Sequence, residues 1–253
     1  MLRRVSDRSR DRLDPTPVLE TVQGLRARIR ARFADRDLGA VCDELGVLTE
    51  RVRDVTPTGR TRMRRARLAS RVLIGLVALA TLAAFVLAVR DAVGGRPFEG
   101  SLDWLPLIET TVNDLVFAAI AVFFLYSLPE RLQRGELLRL LHRLRSLAHI
   151  IDMHQLTKDP ERLRPDFVST GISKPLDLDR DQLERYLDYC SEMLSLVGKT
   201  AALCAEESRD PLVLDTVGTI ETLTATMSNK IWQKIVVLGT IGPTDPPDPS
   251  GRT

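Results

Sequence analysis

Residues 72–89 read VLIGLVALATLAAFVLAV, eighteen residues without a charge, with Arg71 and Arg90 at the two ends. A helix of that length rises about 27 Å, close to the hydrocarbon thickness of a bilayer. The core helix of a soluble domain seldom runs so far without one charged side chain. The run therefore predicts a transmembrane helix and restricts the rest of the chain to what can be attached to one.

A second run, 106–128, is PLIETTVNDLVFAAIAVFFLYSL. Residues 115–128 are strongly apolar, whereas the first turns hold Glu109, Thr110, Thr111, Asn113 and Asp114. Its place shortly after the first span makes it a return crossing, with 90–105 as the external loop. Gly94, Gly95, Pro97 and Gly100 suit a turn there, and Trp104 suits a membrane interface. Arg60, Arg62, Arg64, Arg65, Arg67 and Arg71 precede the first span, and Arg131, Arg134, Arg139, Arg143 and Arg145 follow the second. The loop between them holds only Arg90 and Arg96. The positive-inside bias puts both termini in the cytoplasm, as expected of a multi-pass protein of an inner (plasma) membrane. No cleavable signal peptide is expected, because the first 30 residues are polar and Arg-rich.

Charge is distributed to match. Residues 1–71 carry 18 Arg against 10 Asp plus Glu, a net +8, while 72–129 and 130–253 are each −3. A basic segment directly before an apolar span suits an anionic cytoplasmic leaflet, which ranks ahead of nucleic acid as its partner. The six arginines from Arg60 to Arg71 are accordingly assigned to the membrane surface. The use of 31 Arg against 5 Lys fits a GC-rich bacterial genome.

Outside the hairpin the apolar residues step by three and four, as on one face of a helix. Val18, Val22, Leu25, Ile29 and Phe33 make one stripe, and Leu38, Val41, Cys42, Leu45, Leu48, Val52 and Val55 make another, with a break expected near 37–39. After the hairpin Leu137, Leu140, Leu144, Leu147 and Ile151 form a heptad seam, and Pro129 marks the expected membrane exit. Asp179 with Gln182 reads as a reciprocal N-cap before Leu183, Leu187, Cys190, Leu194, Val197, Ala201 and Cys204. Asp210-Pro211 opens a last helix, striped by Val213, Val217, Ile220, Met227 and Ile231. Nothing alternates with a period of two. The fold class is all-α: a two-helix transmembrane hairpin with a cytoplasmic helical bundle or coiled-coil-like domain. Segments 1–71, 72–128 and 129–240 are the expected divisions, and 241–253 is a Pro-rich tail expected to be disordered. Cys42, Cys190 and Cys204 all fall on apolar stripes and read as core thiols of a reducing compartment.

Several residue groups raise chemical questions. His149, Asp152 and His154 are candidate metal ligands, set against a polar interhelical cluster. His142 lies seven residues, about 10.5 Å, from His149, too far to share one ion. His154 would point roughly 140° from His149 on a continuous helix. Lys158, Arg162 and Arg164 are candidate anion ligands in a Pro-bounded loop that lacks a Gly-rich phosphate cradle. Glu109, Asn113 and Asp114 are candidate pore-mouth groups; the favoured reading puts that half-turn at headgroup depth, where acids cost little. Ala80, Ala84 and Ala88 recur at every fourth residue, as in close helix pairs, or by chance in an Ala-rich span. Trp232 beside Lys230 and Lys234 suits an interfacial anchor or the end of a bundle helix.

No hydrolase, kinase, zinc or dinucleotide motif occurs. The expectation is a non-enzymatic protein without catalytic residue, metal or cofactor, displaying a cytoplasmic helical domain for self-assembly, scaffolding or sensing. Its expected partners are the bilayer, further copies of itself and a cytoplasmic protein. The rival is an oligomeric channel or membrane-perturbing effector gated by its cytoplasmic helices. A membrane-tethered enzyme is the third reading.

Overall fold

The computed structural model describes residues 12–34, 36–55, 60–94, 105–164, 166–168, 176–206 and 208–240, with backbone alone for 60–67, 91–94 and 105–107. Among the described residues six α-helices follow one another: α1 Pro15–Arg32, α2 Leu38–Val55, α3 Arg60–Gly94, α4 Leu105–Leu156, α5 Arg180–Ala205 and α6 Pro211–Thr240. A 3₁₀ turn, Pro160–Leu163, lies between α4 and α5, and no strand occurs among the described residues. The helices form two compact units, one of residues 1–57 with 137–253 and one of residues 58–136. The division after Glu136 lies inside α4, whereas position 129 is helical on both sides.

In the first unit α5 packs against α1, α2 and α6, and the leucine seam of α4 belongs to the same core. Every residue of the stripes read from spacing is buried there except Val55, which is partly buried. The heptad seams are thus occupied by neighbouring helices of the same chain. Helix starts follow the expected chemistry. Asp179 Oδ1 accepts from the Gln182 amide at 2.8 Å and Gln182 Oε1 accepts from the Asp179 amide at 3.3 Å, closing a capping box. Asp210 Oδ1 accepts from the amides of Leu212 and Val213, with Pro211 opening α6. The break between α1 and α2 falls at 33–37, earlier than Gly39 suggested; Gly39 lies in the first turn of α2 and is buried. Cys42, Cys190 and Cys204 are free and buried.

The second unit pairs α3 with the part of α4 up to Glu136. Its two apolar stretches, Leu68–Arg90 with mean hydropathy 2.8 and one beginning at Ile108 with mean hydropathy 1.8, are long and apolar enough to cross a membrane. None of the residues in their most apolar windows is buried within the protein. Helix α4 passes through Pro129 without ending, so that residue is no helix boundary. Proline has no amide hydrogen and leaves the carbonyl four residues earlier, that of Leu125, without its helical donor. Ser70 Oγ on α3 donates to that carbonyl, and Ser70 and Pro129 are both buried.

Candidate functional site

The Ser70–Leu125 contact sets the register of the α3–α4 pair. Thr81 lies eleven residues beyond Ser70 and Asp114 eleven residues before Leu125. At 1.5 Å per residue both stand about 16 Å from that contact. Both also line a single groove of about 590 Å³ between the two helices, with Thr110, Thr111 and small residues such as Ala84 and Ala118. Thr81 is at the middle of the 72–89 run, about 12–14 Å from either end. Asp114 is therefore level with the middle of that run. By the same count Glu109, sixteen residues before Leu125, stands about 24 Å from the contact, near the far end of the run. Only the packing register shows where α4 stands against α3.

Glu109 and Asn113 are exposed, and neither lines the groove. Of the alanine stripe, Ala84 and Ala88 line it together with Ala78 and Thr81, whereas Ala80 does not. The side chains of Arg60, Arg62, Arg64, Arg65 and Arg67 lie outside the described residues, as do the loop at 95–104 with Trp104, the N-terminal residues 1–11 and the tail 241–253. Arg71 is exposed.

The other candidates lie in the first unit, at the end of α4. His149 is exposed, Asp152 accepts from Gln155 Nε2 at 2.7 Å, and His154 Nδ1 faces Tyr186 OH at 3.4 Å. The three side chains do not converge: among the described residues no three His, Cys, Asp or Glu side chains are grouped to hold a metal ion. Lys158 stands with its ammonium 5.7 Å from the centre of the Tyr186 ring. Burial, with Arg36 and Arg162 close by, pulls its pKa below the ordinary lysine value. Arg164 pairs with Glu161 at 3.8 Å, on the exposed surface. The described loop cations therefore stand partly against one another.

What joins these residues is structural. Lys234 Nζ on α6 donates to the backbone carbonyls of Gln155 at 2.8 Å and Lys158 at 3.2 Å, capping the last turn of α4. Burial lowers its pKa, opposed by Asp159 and Asp152. Tyr186 sits edge-on to Phe33 at 5.5 Å, and burial pushes its phenol up. Sequence reasoning missed the roles of Tyr186, Gln155 and Lys234, since none belongs to a stripe and their meeting joins α4, α5 and α6. Trp232, on the same helix as Lys234, is 62% exposed. A second polar recess, lined by Arg28, Arg32, Arg185, Asp188, Tyr189 and Glu192, is braced by a bidentate Arg28–Glu192 pair at 2.9 and 2.5 Å.

Compared with known protein families, with characterised proteins and with solved structures, the chain shows no match.

Proposed function

We propose that this chain is a two-pass protein of an inner (plasma) membrane, in which α3 and α4 span the bilayer and the first unit is a cytoplasmic module for protein interaction. One observation carries the reading: the first unit buries its apolar stripes in a core, while the apolar windows of α3 and α4 bury nothing within the chain. Leu79, Leu87, Phe117 and Phe123 are each more than 60% exposed. Each such side chain left in water forgoes about 1.5–3 kcal/mol. A soluble monomer rarely exposes a contiguous apolar patch beyond a few hundred Å². Lipid removes the cost along both helices at once. The arginine asymmetry supports cytoplasmic termini, and three buried free thiols accord with a reducing compartment.

The role assigned to the cytoplasmic unit is non-enzymatic: assembly, scaffolding or sensing. The scattered placement of His149, Asp152 and His154 favours this over a tethered enzyme. Ile150, Met153 and Leu156 remain exposed on one side of α4, a surface suited to a cytoplasmic protein partner. The alternative is an oligomeric channel, and the observation in its favour is Asp114 at the level of Thr81.

Membrane pellets washed with alkaline carbonate should retain the protein. A Gly95→Cys variant should react with an impermeant maleimide on intact cells, whereas the unaltered protein, with its thiols buried, should not. Release into the carbonate wash would overturn the anchor, and labelling of Gly95→Cys only after permeabilisation would overturn the orientation. Ion flux through liposomes carrying the purified protein would favour the channel over the scaffold.

A further inference from the structure

We propose that the open groove between α3 and α4 is closed by the same face of a second copy of this chain, with Asp114 and Thr81 forming the polar centre of the interface. The inference rests on the membrane reading above and says what the hairpin does there. Asp114 lines the groove at the level of the middle of the apolar run of α3, about 12–14 Å from either end. A carboxyl group at that depth is costly unless it finds a hydrogen-bonding partner, and lipid acyl chains offer none.

Symmetry identifies the occupant. Two copies related by a two-fold axis along the membrane normal hold every residue at the same depth. The second hairpin therefore brings its own Asp114 carboxyl to the level where the first needs a partner, together with the Thr81 hydroxyl, which donates to the Val77 carbonyl of its own helix at 2.9 Å and keeps its lone pairs to accept from a carboxyl O–H. An unrelated helix would need a polar group at that depth by coincidence. The walls suit the approach of a helix: Ala78, Ala84, Ala88 and Ala118 are small, so backbones can come close and gain dispersion contacts that bulky side chains would block. The seams of the first unit are already buried within the chain, whereas this face is open. Two hairpins meeting on their open sides make a four-helix arrangement with the carboxyl groups inside.

The test uses the full chain in carbonate-washed membranes and a short bis-maleimide crosslinker. Ala84→Cys places a thiol in the groove, and Leu79→Cys places one outside it. Ala84→Cys should give a crosslinked dimer and Leu79→Cys should not. Adding Asp114→Leu to Ala84→Cys should lower the crosslinked fraction by about fivefold, the scale of one interhelical hydrogen bond in lipid. Asp114→Asn, which keeps hydrogen-bonding capacity, should retain most of it. If the protein is absent from the washed membranes, the membrane reading itself fails. If it is present and Ala84→Cys does not crosslink, or crosslinks no better than Leu79→Cys, the groove holds lipid and the proposal is overturned while the anchor stands. An undiminished crosslink with Asp114→Leu also overturns the role of the carboxyl.

Discussion

Ser70 on α3 donates its hydroxyl hydrogen to the carbonyl oxygen of Leu125 on α4, the acceptor that Pro129 deprives of its helical partner. One hydrogen bond thus lets a proline sit inside a long helix and locks the register of the hairpin. Removing the hydroxyl should matter only while the proline is present. Ser70→Ala is expected to destabilise the α3–α4 pair by about 1 kcal/mol, the usual range for a buried acceptor losing its donor. In a Pro129→Ala background the helix supplies its own amide, and the same change should cost less than about half as much. A double-mutant cycle on unfolding in bicelles measures this. Equal costs in the two backgrounds would refute the link.

Lys234 holds the end of α4 against α6 through the carbonyls of Gln155 and Lys158. Replacing it by Met keeps the aliphatic stem and removes both donors. The expected loss is about 1.5–3 kcal/mol, because a charged donor to partly buried carbonyls is among the stronger bonds. Hydrogen exchange should quicken mainly in the last turn of α4. A uniform change across the first unit would show that the contact is merely one of many.

Two glycines make a pair with opposite expected signs. A Cβ on Gly198 of α5 would stand 3.0 Å from Thr224 Oγ1 on α6, so the helices rely on its absence. Gly198→Val should destabilise by about 1–3 kcal/mol through overpacking. Gly218 on α6 has nothing within 4 Å of such a Cβ. Gly218→Ala should stabilise by about 0.5–1 kcal/mol through helix propensity alone. Melting temperatures of the two variants, read in the same detergent, should move in opposite directions.

The buried thiols predict a limit on alkaline stability. Burial raises the pKa of Cys42 from 9.0 to about 11, and those of Cys190 and Cys204 from 9.0 to about 12. Above pH 9 the unfolded chain ionises these groups while the fold keeps them protonated. Their contribution is complete below pH 9 and is lost as pH rises toward 11–12. Lys158 and Lys234, whose values burial lowers, act in the opposite sense near their ordinary 10.5 and offset part of the loss. Unfolding midpoints should fall from pH 9 upward, at up to about 1.4 kcal/mol per unit for each fully buried thiol. A Cys190→Ala, Cys204→Ala variant should start less stable but show a shallower decline. A parallel decline would place the alkaline sensitivity elsewhere.

The amino-acid sequence by itself determined every feature whose cause lies within a few residues. The stripe from Leu183 to Cys204 marked the buried face of α5, because a helix returns to one side every three or four residues. The Asp179–Gln182 box marked where that helix starts, because the orphan amides of its first turn need local acceptors. The apolar run 72–89 marked α3 as long and apolar enough to cross a membrane. What only the tertiary structure decided depends on how one helix stands against another, which no short window encodes. It carried α4 through Pro129 because the donor to the carbonyl that the proline leaves open, that of Leu125, is fifty-five residues before it, on Ser70. It brought Lys234 to the end of α4 and Tyr186 to His154 across separate helices. By the same register it set Asp114, at the edge of the apolar stretch 115–128 of α4, level with the midpoint of the apolar run of α3, in one groove with Thr81. A side chain's depth is set by the helix it packs on as well as by its own neighbours in sequence.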